Sequence, residues 1–167
     1  MPAGGSTGYQ RDSLLLAALL RKGDTERAVA EANALIERSP DDPVARNLAA
    51  AVFNAAGKQD AARSQLVEAL KLKPNDLATL INLARMDLAA NKPADAEKNF
   101  RKVLESDPAN LLATLGVAVT AGARGDNKEA EKWLLKAKTD HPDTAQTFLA
   151  LAQFYGASNA ELAIVGD

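Results

Sequence analysis

Apolar residues fall along the chain in short stripes of helical period. Ala62, Leu66, Ala69 and Leu70 stand at i, i+4, i+7 and i+8, and Ala96, Phe100, Val103 and Leu104 repeat that spacing. This is the pattern of a helix with one buried side. The two stripes lie 34 residues apart, and so do four prolines, Pro40, Pro74, Pro108 and Pro142. With the prolines as phase marks, alanine recurs twelve residues earlier at Ala28, Ala62, Ala96 and Ala130. Seventeen residues earlier stand Gly23, Gly57, Asn91 and Gly125. The pattern predicts two helices per period, over 9–22, 25–38, 43–56, 59–72, 77–90, 93–106, 111–123, 127–140 and 145–157. The stretch Ser158 to Asp167 reads as the start of a further helix that stops short.

Local chemistry supports the breaks. Each proline is followed by an N-capping residue: Asp42, Asn75 or Asp76, Asn110, and Asp143 or Thr144. Asp126 is placed to cap the helix that follows Gly125. Pro43 falls in the first turn of its helix, where its missing N–H costs nothing. Gly23, Gly57 and Gly125, with Asn91 in their place once, suit a left-handed turn between paired helices. The recurrent alanine lets two helices of a hairpin approach closely. One hairpin cannot cover its own apolar face, so neighbouring units must stack.

Composition agrees and narrows the function. Of 167 residues, 47% are hydrophobic but only 4% aromatic, and the apolar share is carried by Ala and Leu, both good helix formers. A net charge of -2 gives no general attraction to nucleic acid or an anionic membrane. The chain has no cysteine, which excludes disulfides, thiolate metal sites and a cysteine nucleophile. The longest aliphatic run, Leu14 to Leu20, is far shorter than the roughly 20 residues of a spanning helix, and it lacks the flanks of a signal peptide. Residues 1–8, with Pro2, Gly4, Gly5, Ser6 and Gly8, read as a flexible leader or cloning remnant.

These residues resemble the tetratricopeptide repeat superfamily, whose period is about 34 residues. The resemblance covers Tyr9 to the C-terminus, as repeats 9–42, 43–76, 77–110, 111–144 and a partial fifth over 145–167. It implies an all-α fold, a right-handed superhelical solenoid of helix hairpins with about four full repeats. The family's small first-helix residue is matched by Ala50, Ala84, Ala118 and Ala152 and replaced by Leu16 in the first repeat. The bulky residue three further on is matched by Leu19, Phe53 and Tyr155, whereas Asp87 and Ala121 depart from it. Those departures predict looser packing in the third and fourth repeats, with Leu88 filling the space beside Asp87. A narrower resemblance, over the run from Tyr9 through Ile164 and including Arg-Asn-Leu-Ala at 46–49 and Ala-Glu-Lys-Trp-Leu at 130–134, is to the repeat region of bacterial envelope lipoproteins. Those serve PEP-CTERM/exosortase protein sorting and exopolysaccharide systems. They carry a lipidated cysteine after a signal, so the anchoring region would have to be missing from this chain. That resemblance implies a periplasmic or envelope location; without it a cytoplasmic one is the expectation.

Catalytic chemistry is thin. His141, the single histidine, sits in a loop before a phase proline and reads as a solvated surface residue. Gly57-Lys58 lacks the earlier glycine and the following Ser/Thr of a phosphate loop, so it is a repeat turn. Glu129, Glu131 and Asp140 alternate with Lys128, Lys132 and Lys136, as on a solvated helix face. Trp133 is either packed against a neighbouring unit, the preferred reading, or an exposed anchor for a partner. The expectation is therefore a non-catalytic scaffold with no catalytic residue, cofactor or metal.

In the family the first helix of each repeat lines the concave face. By phase that face holds Leu14, Ala17 and Arg21, then Asn47, Leu48, Ala51 and Asn54, then Ile81, Asn82, Arg85 and Leu88. Leu115, Val119 and Ala123 follow, and finally Leu149 and Gln153. Only Asn82 and Arg85 fit the pattern of a carboxylate clamp, and no lysine stands there. What remains is an apolar groove with polar points at Asn47, Asn54, Asn82 and Arg85, suited to an amphipathic helix or extended apolar peptide. Packing between neighbouring helices is the competing role for Leu48, Ile81 and Leu115. The expected partner is a protein or peptide; neither nucleic acid nor direct membrane insertion of this segment is expected. The alternative is a structural spacer of a longer repeat protein, with an empty groove. Phe148, Leu151, Ala152 and Tyr155 lack a complete second helix to cover them. Either Ala160 to Val165 folds back, or this end meets another copy, as an end-to-end homodimer, or the rest of a longer protein.

Overall fold

The computed structural model describes residues 8–165, with side chains described over 8–157. The leader expected over 1–8 lies, apart from Gly8, outside the described residues. Among those residues there are nine α-helices and no strand: α1 Gln10–Arg21, α2 Thr25–Arg38, α3 Pro43–Ala55, α4 Gln59–Leu72, α5 Leu77–Ala89, α6 Pro93–Ser106, α7 Leu111–Ala123, α8 Asn127–Asp140 and α9 Ala145–Val165. The chain forms two compact units that divide between Thr79 and Leu80, inside α5.

One turn is used four times. Gly23, Gly57, Asn91 and Gly125 have φ of +74°, +73°, +56° and +79°. Asparagine stands in for glycine because its short polar side chain tolerates the left-handed region. The next residue then donates its N–H back across the turn: Asp24 to Leu19 O at 3.0 Å, Lys58 to Phe53 O at 2.8 Å, Lys92 to Asp87 O at 2.8 Å and Asp126 to Ala121 O at 3.0 Å. These bonds satisfy carbonyls that the ending helix leaves open. Side-chain caps start α3, α5, α7 and α8 in turn: Asp42 accepts from Val44 N at 2.8 Å, Asp76 from Thr79 N at 3.1 Å, Asn110 from Ala113 N at 3.1 Å and Asp126 from Glu129 N at 3.1 Å.

Each unit has its own core. In the first, α1 packs on α2, α2 on α3 and α3 on α4, around Leu16, Leu19, Leu35, Val52, Phe53 and Leu66. In the second, α6 packs on α7, α7 on α8 and α8 on α9, around Leu80, Phe100, Val103, Val117 and Leu134. Burying each such side chain contributes about 1.5–3 kcal/mol. The recurrent Ala28, Ala62, Ala96 and Ala130 are all buried, as expected of close-approach points.

Three expectations need correction. Asp87 and Ala121 do not loosen their repeats, since both are fully buried. Asp87 accepts from Asn99 Nδ2 on α6 at 3.2 Å, and Leu88 stays half-buried instead of filling its place. On the same helix α7, at Gly116, the backbone is approached by an aromatic ring: a Cβ there would lie 2.5 Å from Phe100 Cζ. His141 is not simply solvated. It is half-buried, and its Nε2 lies 2.6 Å from the carbonyl oxygen of Ala109, which can only accept, so the ring donates and ties together two loops one repeat apart. Finally, the stretch from Ser158 does not start a further helix: the backbone continues α9 to Val165, so of the alternatives for this end the fold-back of Ala160 to Val165 is the one not seen. Residues 166–167 lie outside the described residues.

Candidate functional site

Exposed apolar side chains are concentrated on the first helices of the hairpins. Of the eleven exposed large hydrophobics among the described residues, eight are on first helices (Leu14, Leu15, Val44, Leu112, Val119, Phe148, Leu149 and Tyr155) and three on second helices (Val67, Leu72 and Leu135). A soluble chain rarely leaves an apolar stripe bare without a use for it.

Within the first unit, Leu14, Ala17 and Arg21 of α1 and Ala51 and Asn54 of α3 are exposed. Leu48 is half-buried, packing partly between helices. Asn47 is a structural tie: its Nδ2 donates to Pro43 O at 2.9 Å and to Thr79 Oγ1 at 2.5 Å. Thr79 in turn donates its hydroxyl to Asp76 Oδ2 at 2.7 Å, and Lys73 Nζ lies 2.8 Å from Asp76 Oδ1. Burial works to raise the Asp76 carboxyl, but the Lys73 ammonium and the Thr79 hydroxyl and N–H outweigh it and hold its pKa below the ordinary value.

Within the second unit, Arg85 of α5, Val119 and Ala123 of α7, and Leu149 and Gln153 of α9 are exposed. Arg85 carries no ion pair among the described residues, and Asn82 is half-buried. Ile81 is buried, so its role is packing. Leu115 is half-buried and packs against the cluster of Ala118, Leu134 and Leu151, which also gathers Trp133, Ala150 and Phe154. Across the two units the structure adds three exposed first-helix residues that sequence reasoning missed, Leu15, Val44 and Leu112, at 38%, 48% and 53% exposure. Val44 and Leu112 each lie three residues before a named first-helix position, Asn47 or Leu115, and that helical spacing was the available signal. Leu112, Leu115 and Val119 thus make an i, i+3, i+7 apolar row along α7.

The second helices present a charged surface. Glu97 of α6 is buried and held by two arginines: Arg101 Nε at 2.6 Å from Oε1, and Arg124, whose guanidinium pairs with Oε2. Arg101 reaches Glu129 of α8 at 3.5 Å and stacks over Trp133, 5.4 Å from the ring centroid. Trp133 Nε1 donates to Glu129 Oε1 at 2.7 Å; that bond, with Lys132 and Arg101 nearby, holds the Glu129 carboxyl below the ordinary range. Trp133 is therefore half-buried and packed, as the preferred reading had it. Lys136 and Asp140 form a further ion pair on α8. Among the described residues no helix is long and apolar enough to cross a membrane.

Sequence profiles of the tetratricopeptide repeat match residues 15–76 and 87–154. The chain belongs to the tetratricopeptide repeat superfamily. It is 30% identical over 119 residues to DnaJ homolog subfamily C member 3 of Rattus norvegicus, an alignment covering 71% of this chain and 21% of that protein. The chain thus spans about a fifth of the length of the curated relatives it matches. Among solved structures, a tetratricopeptide repeat protein from Parabacteroides merdae superposes with a TM-score of 0.79 at 17% identity, covering 99% of this chain and 64% of that one. PilW, a type IV pilus biogenesis factor, superposes with a TM-score of 0.77 at 21% identity, covering 93% and 72%. The all-α helix-hairpin solenoid is the fold shared with these proteins.

Proposed function

We propose that the chain is a non-catalytic protein-interaction scaffold whose first helices take the apolar side of a peptide or amphipathic helix. Tetratricopeptide repeats are typically scaffolds of this kind, and the observation that carries the reading here is the bare apolar row on α7, with Leu112 and Val119 more than half exposed. Leu149 on α9 extends the apolar set within the second unit, and Arg85 and Gln153 supply its polar points. In the first unit Ala51, Asn54 and the partly covered Leu48 have the corresponding role. The finer setting we propose is bacterial envelope protein sorting or exopolysaccharide export, on the resemblance at 46–49 and 130–134.

The test is capture of partners from a bacterial envelope extract by the native chain and by a Val119→Glu, Leu149→Glu variant, with circular dichroism to confirm both folds. A partner held by the native chain and released by the variant supports the reading; equal capture by both refutes it. A second reading, a spacer that assembles through its ends, is favoured by one observation: Tyr155 of α9 is 42% exposed at a repeat position where Leu19, Phe53, Asp87 and Ala121 are buried, and Phe148 is 50% exposed where Leu80 and Thr114 are buried. It predicts that Phe148→Ser lowers the oligomeric mass seen by light scattering and leaves peptide capture intact.

A further inference from the structure

A second, chemically opposite surface lies on the second-helix side of the second unit. Along α6, Glu97, Lys98, Arg101, Lys102 and Glu105 share one face, and Arg124 at the end of α7 closes it into an open cleft of about 540 Å³. Four cations meet two carboxylates there, and one carboxylate is already spent, because Glu97 is buried between Arg101 and Arg124. That buried pairing holds both guanidiniums in place, with side chains still 45% and 36% exposed. Arg101 commits its Nε to Glu97 and one terminal nitrogen to Glu129, which leaves N–H donors of the planar fork unused. Lys98 and Lys102 stand one helical turn apart, exposed and without an ion pair among the described residues. On a chain of net charge -2, a local surplus of cations at a preorganised cleft calls for charge complementarity from outside.

We infer that this cleft binds an acidic peptide segment, with carboxylates seated between Lys98, Lys102 and the free edges of Arg101 and Arg124. Carboxylates four residues apart on a helix match the turn that separates the two lysines. A nucleic acid fits less well. The chain as a whole repels a polyanion, and the aromatic ring beside the cleft, Trp133, has a face covered by Arg101 and so is poorly placed to stack on a base. This surface is distinct from the α7 row, so one scaffold holds two different partners or two segments of one.

The experiment is fluorescence anisotropy on the full chain with a labelled peptide of about 12 residues carrying glutamates four apart, against a matched glutamine peptide. The expected result is saturable binding of the glutamate peptide only, weakened by salt. A Lys98→Glu, Lys102→Glu variant should lose at least about tenfold in affinity. Both lysines are exposed, so the far-UV circular dichroism should not change. Val119→Glu, on the other surface, should bind the peptide as the native chain does. The inference is overturned by equal binding of the glutamine peptide, by undiminished binding to the lysine variant, or by no binding at all. It is equally overturned if Val119→Glu abolishes binding, or if a single-stranded oligonucleotide or phosphatidylserine vesicles bind more tightly than the peptide and with the same lysine dependence.

Discussion

Helices α5 and α9 occupy the same place in the repeat, two periods apart, yet meet opposite fates. Leu80 on α5 is 1% exposed, while the larger Phe148 at the matching position on α9 is 50% exposed. Asp87, a carboxylate, is buried, and its counterpart Tyr155 stands 42% exposed with its hydroxyl donated to Glu131. Thr79 and Thr147 are both fully buried, but Thr79 Oγ1 meets Asp76 and Asn47, whereas Thr147 Oγ1 has no hydrogen-bond partner among the described residues. Burial in a repeat chain is thus conferred by the neighbouring helix, not by the residue's own hydrophobicity. α6 supplies Asn99 to Asp87, and no second helix follows α9 among the described residues. The same logic explains the orphaned Thr147: the positions that would serve it hold Leu115 and Thr144 instead of Asn47 and Asp76.

Substitutions at matched positions can break that comparison. Leu80→Ala should cost about 2–4 kcal/mol in urea denaturation, and Phe148→Ala less than about 1 kcal/mol; equal losses would mean that α9 is covered in solution. Gly116→Ala forces a Cβ into the Phe100 ring and should cost about 1–3 kcal/mol. The matching position on α9 is already alanine, Ala150, and Gly156→Ala there meets nothing within 4 Å, so it should stabilise by about 0.5–1 kcal/mol. Thr79→Ala should cost about 1–2 kcal/mol, while Thr147→Ala, which removes an unsatisfied buried hydroxyl, should be neutral or stabilising.

The smallest effect is one of pH. The folded pKa of Asp76 is depressed, so its contribution is present above the unfolded value and lost as pH falls through the folded one. Asp76→Asn should therefore be less stable than the native chain at neutral pH. The gap should close as the pH falls below about 4, in a series of denaturant melts.

Much of this fold was legible because its punctuation is backbone chemistry. Positive φ at Gly23, Gly57, Asn91 and Gly125 and caps at Asp42, Asp76, Asn110 and Asp126 are local demands, so residue type alone reveals them. Features that depend on a partner 12 or more residues away were not. Asp87 read as a defect because Asn99, which accommodates it, is on another helix. Gly116 carried no signal of its own, because it is Phe100, sixteen residues earlier on α6, that gives it its meaning. Of the candidate positions, the phase equivalents Ala51 in the first unit and Arg85, Val119 and Gln153 in the second followed from the repeat, and all four are exposed. Phase alone did not separate Ile81, drawn into packing, from Leu149, left bare. The cleft on α6 was hidden by its composition, since charges at helical spacing look the same whether they are solvated or clamped around a buried Glu97.

The pairing of Arg101 with the only tryptophan has a spectroscopic consequence. Trp133 belongs to the second compact unit, and the first has no such chromophore. Its emission on heating or in denaturant is therefore a private signal of one half of the chain, while ellipticity at 222 nm sums both. In an array held by nearest-neighbour contacts the halves are free to melt in sequence. Superimposing the two curves turns a single indole ring into a gauge of cooperativity along the repeat.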